Sequence, residues 1–261
     1  MQFQTIEVTS EGHVATVRLN RPEVRNAFNE IMIGEITGAF RALGAEAGVR
    51  AIVLAAAGSA FCAGADLGWM KKMAGFSRNE NLADAAQLAE MLRTIHRCPK
   101  PVIAKIQGDC YAGGMGLATT ADIAIAVEST HFCLSEAKLG LIPATISPYV
   151  IRAMGESAAR RYFLTAERIP AHEALRIGLV QQVVPADALD AAVDDIAKAL
   201  VANSPNAVKE AKRLVRDMAG AALTDDLIAD TAERIADIRS SDEGKEGVQA
   251  FLEKRRPGWG A

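Results

Sequence analysis

The chain has 261 residues, half of them hydrophobic, enough to bury a sizeable core as one large domain or as a domain with an appendage. A formal net charge of −3 leaves no basic stripe for nucleic acid, so an anionic ligand would have to be met by a few local cations and backbone groups. The opening MQFQTIEVTSEGHV lacks a secretory leader pattern, no apolar run reaches the ~18 residues of a membrane span, and Cys62, Cys98, Cys110 and Cys133 form no C-x-x-C pair. These features predict reduced, mostly buried thiols in a cytoplasmic protein.

In chain order, FQTIEV and HVATVRL read as strands around the turn Ser10-Glu11-Gly12, and Arg21-Pro22 ends the second. Asn29 opens an amphipathic helix through about Leu43. Arg50 to Ala56 is a short apolar run, predicted as a buried strand. A loop of small residues follows from Gly58 to Asp66, then a helix over Asn81 to His96 with Leu82, Ala85, Ala86, Ala89, Leu92 and Ile95 on one side. PVIAKIQG is another buried strand. It leads to the turn Ala112-Gly113-Gly114, a short helix of small residues and a strand over Asp122 to Val127. From Ser147 onward the pattern is helical except Leu179 to Val184, with Ser147-Pro148 and Ser204-Pro205 predicted as N-caps followed by proline. Leu223 to Ser240 is a long amphipathic segment. The organisation predicted is an α/β core over residues 1–195, with crossover connections, and a helical region over 196–261 that packs on the core or on a neighbouring subunit. No sequence repeat is visible.

Two turns between a strand and a helix stand out. In Phe61-Cys62-Ala63-Gly64-Ala65-Asp66, a glycine frees the backbone before a residue of no bulk, so an N–H can point into a cavity rather than into a ladder. At Gly113-Gly114 the N–H groups lie at the positive end of a helix. Two converging donors would make an oxyanion hole, although such turns are also common as plain tight turns. There is no Walker-type loop, no complete G-x-G-x-x-G, no G-x-S-x-G elbow and no metal-ligating histidine spacing.

Ala60-Phe61-Cys62-Ala63-Gly64-Ala65-Asp66-Leu67, the pair Gly113-Gly114, and Leu134-Ser135-Glu136 before Leu139-Gly140-Leu141-Ile142-Pro143 resemble the enoyl-CoA hydratase/isomerase (crotonase) superfamily. Arg21-Pro22, Asn26-Ala27-Phe28 and Phe251-Leu252-Glu253-Lys254-Arg255 fit the same family, in the same order over nearly the whole chain. The resemblance implies a crotonase-like spiral of β-β-α units with a C-terminal helical region that drives trimers or hexamers. It implies an acyl-CoA thioester as substrate, with no separate cofactor and no metal. The oxyanion donors would be the N–H groups of Ala65 and Gly113, and Glu136 a catalytic carboxylate. Arg25 matches a position that meets coenzyme A phosphates. Ala63, Asp66, Leu67 and Gly114 flank the two turns in the substrate loops, and Phe251 and Lys254 match positions that reach a neighbouring subunit's coenzyme A. Taken alone, Lys254 reads as a solvated charge. Trp69 and Met70 read equally as walls of the acyl pocket or as ordinary packing.

Hydratases of the family use two glutamates, and the second would fall at Gly116. A lone Glu136 suits a Δ3,Δ2-enoyl-CoA isomerase. Against that, Ile142 to Val150, Gly155 to Arg168, the Asp66-Leu67-Gly68-Trp69-Met70 loop and the ending Glu253 to Trp259 resemble the bacterial methylglutaconyl-CoA hydratase branch and its relative acting on γ-carboxygeranoyl-CoA. The expectation is therefore hydration of a branched, carboxylate-bearing enoyl-CoA, as in leucine breakdown. The alternatives are the isomerase and a non-catalytic acyl-CoA-binding member. Ser135, Thr145, Ser147, Tyr111 and Asp109 are candidates to orient water, and Lys71, Lys72, Lys138 and Arg152 to meet a distal carboxylate.

Overall fold

A computed structural model describes residues 3–260. The elements run β1 (Ile6–Glu11), β2 (Val14–Leu19), α1 (Glu30–Ala45), β3 (Ala51–Ala56), β4 (Ala60–Cys62), α2 (Leu67–Met73), α3 (Arg78–His96), β5 (Val102–Ile106), β6 (Asp109–Tyr111), α4 (Gly113–Thr120), β7 (Ile123–Val127) and β8 (His131–Cys133). There follow α5 (Ser147–Thr165), β9 (Ile169–Pro170), α6 (Ala171–Arg176), β10 (Gln182–Val184), α7 (Leu189–Ala202), α8 (Pro205–Met218), α9 (Asp225–Ser240) and α10 (Asp242–Leu252).

The strands divide into two sheets, one of order β1-β2-β3-β5-β7-β10 and a smaller one of order β4-β6-β8-β9. Three strands of the first each feed a three-residue strand of the second: β3 leads to β4, β5 to β6 and β7 to β8. This alternation is the β-β-α spiral, and it makes β4, β6 and β8 parallel neighbours, with β9 antiparallel at the edge. The six-residue hydrophobic run of β3 is buried on both faces. Ile52 and Leu54 join the main core with α1, α3 and α4, while Val53 and Ala55 join a second cluster under α7.

Local chemistry fixes the boundaries. The Asn29 side chain accepts from the Met32 N–H at 3.0 Å and starts α1, whose buried Met32, Ile33, Ile36, Ala39, Phe40 and Leu43 recur at helical spacing. Helix α3 begins before the predicted Asn81, because Ser77 and Glu80 form a capping box. Ser204 caps α8 as expected, but Ser147 does not cap α5. It is already helical, and its Oγ donates back to the Ala144 carbonyl at 2.8 Å. Helix α5 is broken at Gly155, where φ is 77°.

The predicted division at 195/196 falls inside α7. Leu189, Val193 and Ala197 of that helix pack on the sheet, so α7 belongs with the core on physical grounds and the appended region is α8–α10. Helices α8 and α9 contribute no fully buried residue. Lys212 ties α8 down through Asp122 at 2.7 Å and the Lys100 carbonyl at 2.9 Å. Arg50 ties the chain's last segment to the start of β3 by donating to the Trp259 carbonyl at 2.7 Å. Val215, Leu223, Ile228, Val248, Phe251 and Leu252 remain exposed on this region. No helix among the described residues is long and apolar enough to cross a membrane.

Candidate active site

Three chain segments leave the small sheet at the C-terminal ends of its parallel strands. Ala65 lies three residues past β4, Gly113 two past β6 and Glu136 three past β8. Because these strands are hydrogen-bonded neighbours running in parallel, the three residues are brought together by the spiral rather than by proximity in sequence.

At the first turn, Phe28 makes a parallel bridge with Ala65. The Phe28 N–H donates to the Gly64 carbonyl at 2.9 Å, and its carbonyl accepts from the Asp66 N–H at 3.0 Å. A parallel bridge of this kind turns the middle residue's own N–H away from the bridging strand. Gly64 has φ of 92°, and a Cβ there would stand 2.9 Å from the Ala112 Cβ and 3.6 Å from the Gly113 nitrogen, so the two turns touch. At the second turn Ala112 adopts φ 48° and ψ −123°, a conformation an L-residue holds at a cost of roughly 1–3 kcal/mol. The Ala112 N–H donates to the Cys133 carbonyl at 2.8 Å, which locks this turn to the strand leading to Glu136. Gly113 then opens α4, so no intrahelical carbonyl faces its N–H. Among the described residues neither the Ala65 nor the Gly113 N–H donates to another group of the chain. Side chains are excluded here: a Cβ on Gly113 would lie 2.8 Å from Phe28 Cε1, and one on Gly114 would lie 2.6 Å from the Cys62 carbonyl oxygen.

Glu136 begins a short 3-10 turn. Its Oε2 is buried without a hydrogen-bond partner, and burial pushes its carboxyl above the usual range. A half-buried carboxylate with an idle oxygen is suited to take or give a proton. Position 116, where the resemblance expects a second carboxylate, is glycine. Gly116 is buried in α4, and a Cβ there would lie 2.9 Å from Ile146 Cβ, closer still to Ile146 Cγ2, and 3.4 Å from Leu92 Cδ2. The space beside Gly116 is therefore filled by hydrocarbon.

The remaining predicted residues separate by what they touch. Asp66 is engaged within the chain: Oδ1 accepts from the N–H groups of Gly68 at 2.7 Å and Trp69 at 3.1 Å, capping α2, and Oδ2 accepts from Arg21 at 2.9 Å. Burial opposes its ionisation, but those N–H groups and the Arg21 guanidinium together outweigh it and hold the carboxyl below its ordinary range. The geometry thus gives Asp66 a loop-holding task rather than leaving it free for a ligand. Trp69 is buried, 6.0 Å from the Phe28 ring, and its Nε1 donates to Asp84 at 3.1 Å. Arg25 is exposed, and its carbonyl accepts from the Ala63 N–H at 3.0 Å, so it stands beside the first turn. Leu67 is 75% exposed, and Phe251 and Lys254 are exposed at the chain's far end.

Of the candidates to orient water, Tyr111 donates to Asp109 at 2.8 Å and accepts from Arg168, which occupies both, and Ser147 is spent on Ala144. Lys72 pairs with Glu30 at 2.8 Å, and Arg152 donates to the Pro148 carbonyl at 3.2 Å. Three residues that the sequence motifs include without assigning them a task do much of the positioning. Asn26 is fully buried with φ of 54°, and its Nδ2 donates to the carbonyls of Ala57 and Ala60 at 2.7 and 2.9 Å. Phe28 and Ile146 are the others. A groove of about 750 Å³ between α7 and the outer face of the large sheet contains none of these groups. There Arg18 and Lys105 are paired with Glu7 and Asp190, and the terminal nitrogens of Arg50 are bonded to carbonyls, so the chemistry is assigned to the strand ends.

The family model described as enoyl-CoA hydratase/isomerase matches residues 9–261. The chain is 32% identical to a short-chain-enoyl-CoA hydratase of Clostridium acetobutylicum, over 98% of this chain and 97% of that one. The crystal structure of an enoyl-CoA hydratase from Shewanella pealeana superposes with a TM-score of 0.96 at 44% identity, covering 99% of this chain and 97% of that one. Pseudomonas aeruginosa AtuE superposes with a TM-score of 0.94 at 34% identity, covering 99% and 100%.

Proposed function

The chain belongs to the enoyl-CoA hydratase/isomerase family, and from that premise we propose that it hydrates a branched, carboxylate-bearing enoyl-CoA such as 3-methylglutaconyl-CoA, in leucine degradation. The observation that carries the chemistry is the pair of adjacent, unengaged N–H groups at Ala65 and Gly113 beside a half-buried glutamate with an idle oxygen. In this reading the thioester oxygen accepts from both N–H groups. Ionised Glu136 takes a proton from water as the water oxygen bonds to Cβ, and the double-bond electrons move to an enolate. The proton then passes from Glu136 to Cα, so one water is added and the carboxylate is regenerated. Each donor contributes about 3 kcal/mol to the enolate-like transition state.

The carboxylate-bearing substrate rests on the resemblance of residues 142–150, 155–168, 66–70 and 253–259 to that hydratase branch, and on the apolar filling beside Gly116. With one protein carboxylate, the substrate's own distal carboxylate would orient the water, with Ser135 and Thr145 as the neighbouring hydroxyls. Lys71 and Lys138 are the cations left to meet it. Arg25, Ala63, Leu67 and Gly114 line the entry for coenzyme A, with Trp69 behind the acyl group. The exposed apolar residues of α8–α10 pack between copies in a homotrimer or a hexamer, which carries Phe251 and Lys254 to a neighbour's coenzyme A. The setting is the cytoplasm, in keeping with four free buried cysteines.

The filled position beside Gly116 also favours a second reading, a Δ3,Δ2-enoyl-CoA isomerase in which Glu136 moves one proton between two carbons. Product analysis separates them. 3-Methylglutaconyl-CoA, crotonyl-CoA and a 3-enoyl-CoA are each incubated with the protein in ¹⁸O-water. Label incorporation fastest with the branched diacid supports the proposal. Equal rates on crotonyl-CoA remove substrate assistance. Double-bond migration without label establishes the isomerase, and inactivity on all three leaves a non-catalytic acyl-CoA-binding protein.

A further inference from the structure

Phe28 touches both turns at once. Its backbone brackets Ala65, donating to Gly64 at 2.9 Å and accepting from Asp66 at 3.0 Å. Its ring, fully buried, stands where any side chain on Gly113 would have to go, with Cε1 2.8 Å from the position of a Cβ. Trp69 lies against that ring at 6.0 Å, and Trp69 is itself pinned through Nε1 to Asp84 at 3.1 Å.

We propose that Phe28 is a positioning residue that sets the spacing of the two N–H groups, its backbone aiming that of Ala65 and its ring stopping the approach of Gly113. The inference rests on the reading of these groups as the thioester's oxyanion donors. A backbone contact alone would orient Ala65 and leave the separation from Gly113 to the Ala112–Cys133 bond of the second turn. A ring contact alone would place Gly113 and leave the first turn unaimed. One residue doing both makes the separation a property of a single rigid body. The backing by Trp69 and Asp84 keeps the ring from tilting when a ligand enters, because an indole held at its nitrogen cannot slide along the ring it packs on. Oxyanion donors act only within a narrow range of lengths, about 2.7–3.1 Å, so a shift of a few tenths of an ångström at Gly113 is felt in the reaction.

The test uses the full-length protein carrying Phe28→Leu or Phe28→Met, which keep the backbone bonds and most of the volume, with Trp69→Phe as a third variant that removes the pin but not the ring. Two quantities are read. One is kcat and KM for a hydrated enoyl-CoA. The other is the carbonyl stretching frequency of a bound, unreactive acyl-CoA thioester, which reports hydrogen bonding to the oxygen without any contribution from Glu136. In the parent, the frequency should fall on binding. In the Phe28 variants that fall should shrink, and kcat should drop roughly 10–100-fold with KM changed little, the size expected for misplacing a group by a fraction of an ångström. Trp69→Phe should give the same pattern in smaller measure. Loss of carbonyl polarisation already in the parent overturns the oxyanion reading itself. Full polarisation and unchanged kcat in folded Phe28→Leu and Phe28→Met overturn the role of Phe28 and leave that reading intact. A fall in stability with kcat and frequency both preserved makes Phe28 an ordinary core residue.

Discussion

Introducing a carboxylate at Gly116 should fail in the parent and succeed only when Ile146 is cut back. In Gly116→Glu the new Cβ would lie 2.9 Å from Ile146 Cβ and 3.4 Å from Leu92 Cδ2, with Ile146 Cγ2 nearer still. Two effects oppose each other. Replacing a glycine inside α4 gains about 0.5–1 kcal/mol from helix propensity, whereas forcing atoms into a filled core costs about 1–3 kcal/mol. Holding the carboxylate itself in the same apolar surroundings adds the cost of desolvating a charge. The clash wins, and Gly116→Glu should melt several degrees below the parent, at about 2–4 °C per kcal/mol for a chain of this size. Ile146 is 2% exposed, so Ile146→Ala alone leaves a cavity and costs about 2–5 kcal/mol. In the double variant the glutamate stem occupies that cavity. The two losses should then fall short of their sum by about 1–3 kcal/mol. The assay is a thermal double-mutant cycle at one protein concentration, with hydration of crotonyl-CoA measured on all four proteins. The double variant should hydrate the plain substrate faster than Ile146→Ala. Additive losses, or a Gly116→Glu protein that melts like the parent, would refute the picture of an occupied second position.

Glu136→Gln should lower hydration by about 10²–10⁴-fold while coenzyme A still binds. Because burial raises the Glu136 carboxyl in the fold, the parent's advantage from this group is complete below the ordinary glutamate range and is lost as pH rises through the raised value. The glutamine variant should therefore gain stability relative to the parent between acidic and neutral pH, and parallel denaturation curves across that window would contradict this. Asp66→Ala should cost about 1–3 kcal/mol in urea titration, since two N–H groups lose their acceptor and Arg21 its partner. The lowered Asp66 carboxyl stabilises above the ordinary aspartate range and that contribution is lost as pH falls through the lowered value, so the variant's acid limb should be flatter. Ala112→Gly should raise stability by about 1 kcal/mol, the relief of a strained φ of 48° exceeding the extra chain entropy of glycine. A drop in melting temperature would mean that the Ala112 methyl packs more than the backbone strains.

The long strands and helices were legible because their patterns are strong. Ala51 to Ala56 is apolar throughout, and α1 buries residues at helical spacing. The three-residue strands β4, β6 and β8 were not, because so few residues carry no periodicity of their own and take their conformation from neighbouring strands. That is also why the β-β-α repeat, plain in the sheets, leaves no repeated sequence. Ala65, Gly113 and Glu136 were found through motif resemblance, and the structure adds the physical reason they meet. Phe28 and Ile146 went unassigned, since an apolar residue announces burial but not which glycine it faces. The glycines themselves carry a signal: the half-buried Gly113 and the buried Gly116 of one helix each leave room for a large partner, and each has one. Asp66 reads from its position as a ligand-loop residue, yet both of its oxygens serve the fold.

The row of parallel strand ends has a consequence for how such a site can change over time. Neighbouring strands are held about 4.8 Å apart by their ladder of hydrogen bonds, so the stations at the ends of β4, β6 and β8 have a fixed pitch that no single substitution can stretch. Mutation can swap the chemical group at a station, and hydrocarbon can fill the space beside it, as Ile146 does beside Gly116, while the ruler stays the same. A lineage built on this ruler can exchange one reaction for another without relearning the distances.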